Sequence, residues 1–565
     1  MRRWVPAIVI VLGWGSLAHA ATAGMAVAEI GLAGEGTGVV GFAQVLLNAA
    51  IRASVSPSPG MGPSVVATQS LNLPRNVLSA IVSFRTDRVS IPRVHVRGGG
   101  RSWWVPATGY LTGRPGTEHA ALIVGMKPET DYTVTVSGID ETNFIEGSRE
   151  ILDVRSGAPP PGFPPIRVPV NKRDKRTPGY VLFDVTRESV PAGTSPSWIV
   201  IVDQDGDPVW YYNDLYFFSL PNDVRRISTG NFLMLGYDPY HSTAAAYEIN
   251  LLGAQVRSWS AFDLGLDSMH HELGELPDGN FVVLSSKLHF YQDYPEELYG
   301  YPIGSDHTIV TDAIAVFNPA GEVVYFYDLV DSLDHLRFLQ GFEETGFWEF
   351  TYGPGVNDWG HGNGVIEDPR DGNWIASLRH QDIVFKMTPE GALVWVLGQH
   401  HFTSTADLTW PFLHLEGPGS LPERQHAPEL LPNGNLLVYD NASALGSRTS
   451  RAVEFAIDEE NLTARQVWEW IDPDYTPPLY SIALGDADRI SETNVLVDDG
   501  AIDRWNPAPV SLVGAWTRIA EVNKVTNEKV FELIVRDDAE EDPESFLSYR
   551  AEHLASLYPP IPGAP

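Results

Sequence analysis

The 565-residue sequence predicts an all-β protein, a six-bladed β-propeller preceded by a small β-sandwich. Three observations carry this reading. Five tracts align on an Asn in a strand–turn–strand pattern: RISTGNFLMLGYD (226–238), ELPDGNFVVLSSK (275–287), DPRDGNWIASLRH (368–380), LLPNGNLLVYDNA (430–442) and RISETNVLVDDGA (489–501). Each is followed by a second hairpin, such as AIAVFNPAGEVVYFYDL after the second tract, and four strands per repeat make a propeller blade. Upstream, GYVLFDV, SWIVIVD and DPVWYYN (179–213) supply three strands of a further blade that another part of the chain must complete, which brings the count to six.

In chain order, residues 1–20 (MRRWVPAIVIVLGWGSLAHA) have a basic start, an apolar run and an A-x-A end, the pattern of a secretory signal peptide. The apolar run is shorter than the roughly 20 residues a bilayer span needs, so no membrane span is expected after cleavage. Residues 21–75 are rich in Ala, Gly, Ser and Pro and read as a poorly ordered linker. From 76 to 156 short β-rich runs (AIVSF, RVHVR, AALIV, YTVTV) spaced by Gly, Asp and Asn predict the sandwich. Its run ALIVGMKPETDYTVTV resembles the signature of fibronectin type III domains through Met126, Pro128, Thr130, Tyr132 and Val134. A Pro-rich linker (157–165) leads into the propeller (166–540), and residues 541–565 read as a C-terminal tail. Within the propeller, Trp210, Trp259, Trp395 and Trp468 fall in outer strands and are expected to pack between blades; residues 331–360, inserted between two repeats, are expected to form a lid over one face.

Composition excludes several function classes. With 38 Lys+Arg against 72 Asp+Glu the net charge is −34, which repels nucleic acid, and any anionic substrate needs a locally positive pocket. The absence of Cys removes disulfides, thiol nucleophiles and Cys-ligated metal sites. No cofactor signature is present, and the sequence leaves homo-oligomerisation open.

The repeat also locates the chemistry. Innermost strands of a propeller line its channel, so residues at one repeat position converge in space. Nine positions before the aligned Asn stand His271 and His426, and His361 occupies the corresponding place in a third blade. Six positions after it stand Arg379 and Asn441, with Tyr237 and Ser286 in other repeats; Asn363 follows His361 by two. A lone His at the start of a strand ordinarily bonds a turn, but three at equivalent positions outweigh that reading. Strand alternation turns His270 and His380 the other way, toward structural roles. Three imidazoles are also a zinc ligand set, yet an Arg and an Asn on the same axis favour an anion, so no metal is expected.

The tracts HHELGELPDGN, WGHGNGV with Arg379 in SLRHQDIVFKM, and QHAPELLPNGNLLVYDN resemble those of the bacterial arylsulfotransferases, over about residues 165–540. The resemblance implies nucleotide-independent, ping-pong transfer of a sulfuryl group from a phenolic sulfate ester to a phenol through a sulfated histidine in the periplasm. On matching motifs His426 is the nucleophile, while His361, Asn363, Arg379 and His271 bind the sulfuryl group or assist proton transfer. Asn441 joins them as a binding residue on the strand beside His426. The repeat count favours His271 over His270 for the pocket. Enterobacterial members of the family carry a disulfide near the nucleophile, which this chain without Cys lacks. Two rival functions remain: a non-catalytic secreted propeller binding an anionic ligand, and an aryl sulfatase that uses water as acceptor.

Overall fold

The computed structural model describes residues 62–559, except positions 74, 113–114, 189–196, 215–222, 239, 292–296, 299–300, 303–307, 338–346, 401–408, 445 and 507–509. The expected signal peptide, most of the 21–75 segment and part of the expected lid lie outside the described residues. Strand accounts for 54% of the structure and helix for 4%, so the protein is all-β.

The N-terminal unit is built on one shared strand, Asn76–Gly98. Its first half pairs with Val65–Leu73 and Gly116–Ile123, its second half with Arg101–Trp104 and Asp131–Ile139, and the latter with Glu146–Arg155. Phe84, Val94, Val96, Tyr132 and Val134 form the core between the two groups. Val65–Leu73 corrects the expected linker: Thr68, Ser70 and Asn72 face solvent, and these short polar residues make an edge strand read as linker in composition. The unit is bolted to the rest of the protein. Asn76 Nδ2 donates to the Tyr211 carbonyl at 2.9 Å, and Lys127 Nζ reaches Asp205 and Asp207 at 2.7 Å each.

Six further antiparallel sheets with four-stranded cores follow among the described residues. Their innermost strands are Val224–Arg226, His270–Glu275, Gly362–Glu367, His426–Leu430, Asp486–Arg489 and Ala551–Leu554. The first five touch one another in chain order. Ala551–Leu554 meets Asn494–Ile502 on one side. On the other, the Glu552 carboxylate accepts the Arg226 N–H at 2.8 Å, which closes a propeller-like ring.

The closing strand corrects the expected tail. Ser545–Leu547 and Ala551–Leu554 both pair with Tyr180–Glu188 and complete the three-stranded sheet of residues 180–214. Without them the inner edge of Tyr180–Glu188 would present a row of unpaired backbone groups to the channel.

Neighbouring sheets are stitched at their rims. Trp210 Nε1 donates to the Leu251 carbonyl (2.9 Å), Trp259 Nε1 to Pro319 (3.3 Å), Trp395 Nε1 to the Glu459 carboxylate (3.1 Å) and Trp468 Nε1 to Asn527 Oδ1 (2.8 Å). In each case the acceptor lies at the outer hairpin turn of the next sheet. Tyr325 takes the same role in its sheet, donating its hydroxyl to the Pro389 carbonyl at 2.8 Å. The Trp residues therefore do pack between sheets, and their polar tips add a directed bond.

Candidate active site

Three innermost strands open with the same irregularity. Register shifts occur between His270 and Leu273, between Gly362 and Gly364, and between His426 and Glu429. A bulge re-aims the side chains beside it. His271 and His361 hold φ of 58° and 50°, left-handed values that non-glycine residues adopt at a cost of order 1 kcal/mol, and both rings turn toward one another, with centroids 4.8 Å apart. Arg379 follows from the same geometry, because its backbone N–H donates to the His361 carbonyl at 3.2 Å.

His426 is buried at the start of its strand. Its Nδ1 lies 2.6 Å from Asn441 Oδ1, and the Asn441 amide is held the right way round because Nδ2 donates to the carbonyls of Ser481 (3.2 Å) and Leu484 (2.8 Å). An amide oxygen only accepts, so Nδ1 of His426 carries the proton. Nε2 then bears the lone pair, and the Leu484 N–H donates to it at 3.2 Å. Burial and the positive charge of Arg379 push the His426 pKa well below 6.5, so the ring is neutral.

Arg379 donates Nη2–H to the Ile482 carbonyl at 3.1 Å, its Nε finds no partner, and no described carboxylate pairs with it. Burial, with the nearby Arg424, lowers its pKa to about 10, which leaves it charged at neutral pH. A surplus cation in this position suits an anionic group. His361 Nδ1 meets Asp358 Oδ2 at 2.5 Å, while Asp358 Oδ1 accepts Trp348 Nε1–H at 3.0 Å. Burial works against the Asp358 charge, but His361 and His380 outweigh it and hold the carboxyl well below its ordinary range.

Of the residues singled out from the sequence, His271, His361, Arg379 and His426 share one neighbourhood: the first two touch, His361, His426 and Arg379 bear on His271, and Arg379 and His361 bear on His426. Asn441 sits behind His426 rather than among them. Asn363 differs from expectation: it is fully buried, its Nδ2 donates to the Gln425 carbonyl at 2.7 Å, and it braces the His426 segment from the neighbouring strand. Ser286 bonds Ser268 and Tyr352 instead. His380, as expected, is structural, its Nδ1 bonding the Asp358 carbonyl at 2.8 Å.

Sequence reasoning missed four contributors. The segment 481–485 supplies the Ile482 carbonyl that holds the Arg379 guanidinium, the Ser481 and Leu484 carbonyls that hold the Asn441 amide and the Leu484 N–H that meets His426, yet none of its side chains signals this. Asp358 precedes His361 by three residues, a spacing visible in the sequence. Phe347, at the described end of the expected lid, lies 5.0 Å from the His271 ring and 4.9 Å from the His361 ring. Tyr549, 5.7 Å from His271, arrives with the C-terminal strand.

Deeper in the ring the inner strands carry carboxyls. Burial pushes Glu272 up to about 7, Glu429 to about 8 and Glu552 to about 7, and Arg225 and Arg550 bridge Glu272 at 2.7 and 2.6 Å. Among the described residues two compact groups have donor sets of the metal-binding kind. In Asp203, Asp205 and Asp207 the ammonium of Lys127 already sits among the oxygens. In Asp358, His361 and His380 hydrogen bonds engage the carboxylate. No described helix is long and apolar enough to cross a membrane.

Fold and site together define a propeller-like all-β protein in which His271, His361 and His426 gather, where inner strands meet, with a guanidinium that no described carboxylate pairs. The chain belongs to the arylsulfotransferase (ASST) family, whose profile matches residues 170–550. It is similar to the arylsulfate sulfotransferase AssT of Escherichia coli O6:H1, 25% identical over 346 residues (51% of this chain, 56% of the relative). It is also similar to AssT of Lelliottia amnigena, 24% identical over 344 residues with the same shares. The matched region spans about half the length of these curated relatives. Among solved structures, dihydro-heme d1 dehydrogenase NirN aligns over 70% of this chain and 80% of its own at 8% identity and a TM-score of 0.28, too low to inform the fold.

Proposed function

We propose that this protein is an exported, periplasmic aryl-sulfate sulfotransferase. In this reading the six sheets are the blades of one propeller, and sulfuryl passes from an aryl sulfate ester to a phenol through a sulfated His426, without nucleotide, metal or cofactor. The observation that carries the reading is the lock on His426: its proton is committed to Asn441 and its lone pair stands on the other nitrogen, near a guanidinium that no described carboxylate pairs.

The chemistry follows from that geometry. The donor's sulfuryl oxygens lie against Arg379, where positive charge meets the charge that spreads over peripheral oxygens in a loose transition state. The lone pair on His426 Nε2 forms the N–S bond as the S–O bond to the aryl group breaks, and the aryloxide leaves and takes up a proton. The imidazole ring gains positive character, which the Asn441 carbonyl oxygen stabilises through the Nδ1–H bond. In the second half-reaction a phenol oxygen attacks sulfur, the N–S bond breaks, and its electron pair returns to Nε2. Two displacements through one covalent intermediate give ping-pong kinetics.

A mixture of purified protein, an aryl sulfate and a phenol tests this reading. Release of the donor's aryl alcohol that requires the phenol, with sulfate appearing on the phenol, is the expected result. Inorganic sulfate in place of a sulfated phenol would make the protein a sulfatase; no release with any of several donors would make it a binding protein.

A further inference from the structure

His270 and His271 are bonded to each other, and the bonding pattern determines where their protons are. His270 Nε2 lies 3.0 Å from the Ser285 carbonyl, which only accepts, so that nitrogen carries hydrogen. Burial lowers the His270 pKa to about 4, the ring is neutral, and its Nδ1 is therefore bare. His271 Nδ1 stands 2.9 Å from that bare nitrogen and must be the donor. Burial, His361 and His270 also keep His271 neutral, which leaves its Nε2 with a lone pair and no proton.

We propose that His270 is a positioning residue that fixes His271 in this tautomer, so that His271 Nε2 acts as the general base toward the acceptor phenol. The inference rests on the sulfuryl-transfer reading above. A bare nitrogen cannot donate to sulfuryl oxygens, which also only accept; an O–H is the partner it can take. The phenol proton passes to His271 Nε2 while the phenol oxygen bonds to sulfur and the N–S bond to His426 breaks. The imidazolium at 271 then releases its proton to water, which balances the proton taken up by the first aryloxide.

The surroundings support this assignment. His271 faces His361 at 4.8 Å, Phe347 at 5.0 Å and Tyr549 at 5.7 Å, with His426 and Arg379 near enough to lower its proton affinity. His270 is packed at 4.8 Å against Trp348, with Asp358 and the Gly362 backbone also bearing on it. Its Nε2 lies 3.6 Å from Asp312 Oδ1. Burial and Asp358 push the Asp312 carboxyl well above its ordinary range, so it supplies no charge that would hold His270 as an imidazolium.

Two substitutions in the full chain separate tautomer control from mere packing. In His270→Gln the amide N–H can meet Ser285 and the amide oxygen can accept from His271; His270→Phe offers neither. Both half-reactions are measured: the burst of aryl alcohol from an aryl sulfate, and the discharge of pre-sulfated enzyme to phenols of graded acidity. With a donor whose aryl alcohol is acidic enough to leave as the aryloxide, the expected result for Phe is an unchanged burst and roughly 10²-fold slower discharge to weakly acidic phenols, within the range for loss of a general base, with little effect on phenols already ionised. Gln should restore discharge to within several-fold. Equal slowing of both half-reactions, equal slowing of all phenols, or Gln no better than Phe would overturn the inference. Nitrogen NMR of histidine-labelled wild-type enzyme reads the tautomer even if Phe does not fold: Nδ1–H at His271 is expected, and Nε2–H would overturn it. Absence of any burst in the wild type would instead remove the sulfuryl-transfer reading.

Discussion

Asn441 holds His426 by a 2.6 Å hydrogen bond from the ring Nδ1–H to the amide oxygen. His426 opens one strand and Asn441 directly follows the adjoining strand Leu436–Asp440 of the same sheet, and the segment 481–485 clamps the far side of the amide. The bond does for His426 what a carboxylate does for a catalytic histidine elsewhere, orienting the ring and setting its tautomer, but without a negative charge that would attract a proton to the nucleophilic nitrogen.

Replacing that amide therefore has a specific consequence. Asn441→Leu keeps the volume and removes the acceptor, and a nucleophile free to turn or to change tautomer is misplaced. Single-turnover measurements should show both half-reactions slowed by about 10²-fold, the scale of small misplacements. A change in one half-reaction alone would mean that Asn441 acts on substrate rather than on His426.

Arg379 should matter most for the donor. Arg379→Ala is expected to lower kcat/KM for aryl sulfates by about 10² to 10³, as when one charge-stabilising donor is removed. Arg379→Lys should recover little, because a point charge does not reproduce the guanidinium fork that also bonds Ile482. Steady-state kinetics check both; a loss below tenfold in the Ala variant would place the anion elsewhere.

The pH dependence follows from burial. Neutral His426 is the nucleophile, protonation removes it, and burial with Arg379 lowers its proton affinity below the ordinary 6.5. The rate of the burst, measured with a donor whose aryl alcohol is acidic, should therefore stay flat from about pH 8 down through the ordinary imidazole range and decline only below it. A decline centred at or above 6.5 would contradict a buried, neutral nucleophile.

The repeat made much of this legible, and two irregularities obscured the rest. Five aligned Asn turns and the partial repeat at 179–213 reported six sheets, and equivalent positions brought His271, His361, Arg379 and His426 together. The count of nine equated His271 with His426, whereas in the ladders His270 pairs with Leu284 as His426 pairs with Tyr439. The third sheet's bulge holds an extra residue, and a positive φ still turns His271 into the pocket. Periodicity carries no signal for a bulge, nor for a contribution from outside the repeat. Backbone groups of 481–485 and the returning strand Ala551–Leu554 are of that kind, since carbonyls have no sequence signature and an inner strand supplied by the C-terminus looks like a tail.

The rim stitches are testable by stability. Trp395→Phe keeps an aromatic ring against its neighbours and deletes the N–H that reaches Glu459. Loss of one hydrogen bond and some buried volume should cost about 1–3 kcal/mol in chemical denaturation, with kcat of the folded enzyme unchanged. A change in kcat without a change in stability would mean that the rim communicates with the pocket.

The central claim, that His426 carries the sulfuryl group, is met most directly by mass analysis of stalled enzyme. Incubated with an aryl sulfate and no phenol, the protein should release at most one equivalent of aryl alcohol and stop. Peptides from it should then show a single SO₃ addition on the peptide containing His426, absent from His426→Asn and lost on adding phenol. A label on the His271 or His361 peptide would contradict the assignment, and unlabelled enzyme that still transfers sulfuryl to phenol would contradict covalent catalysis altogether.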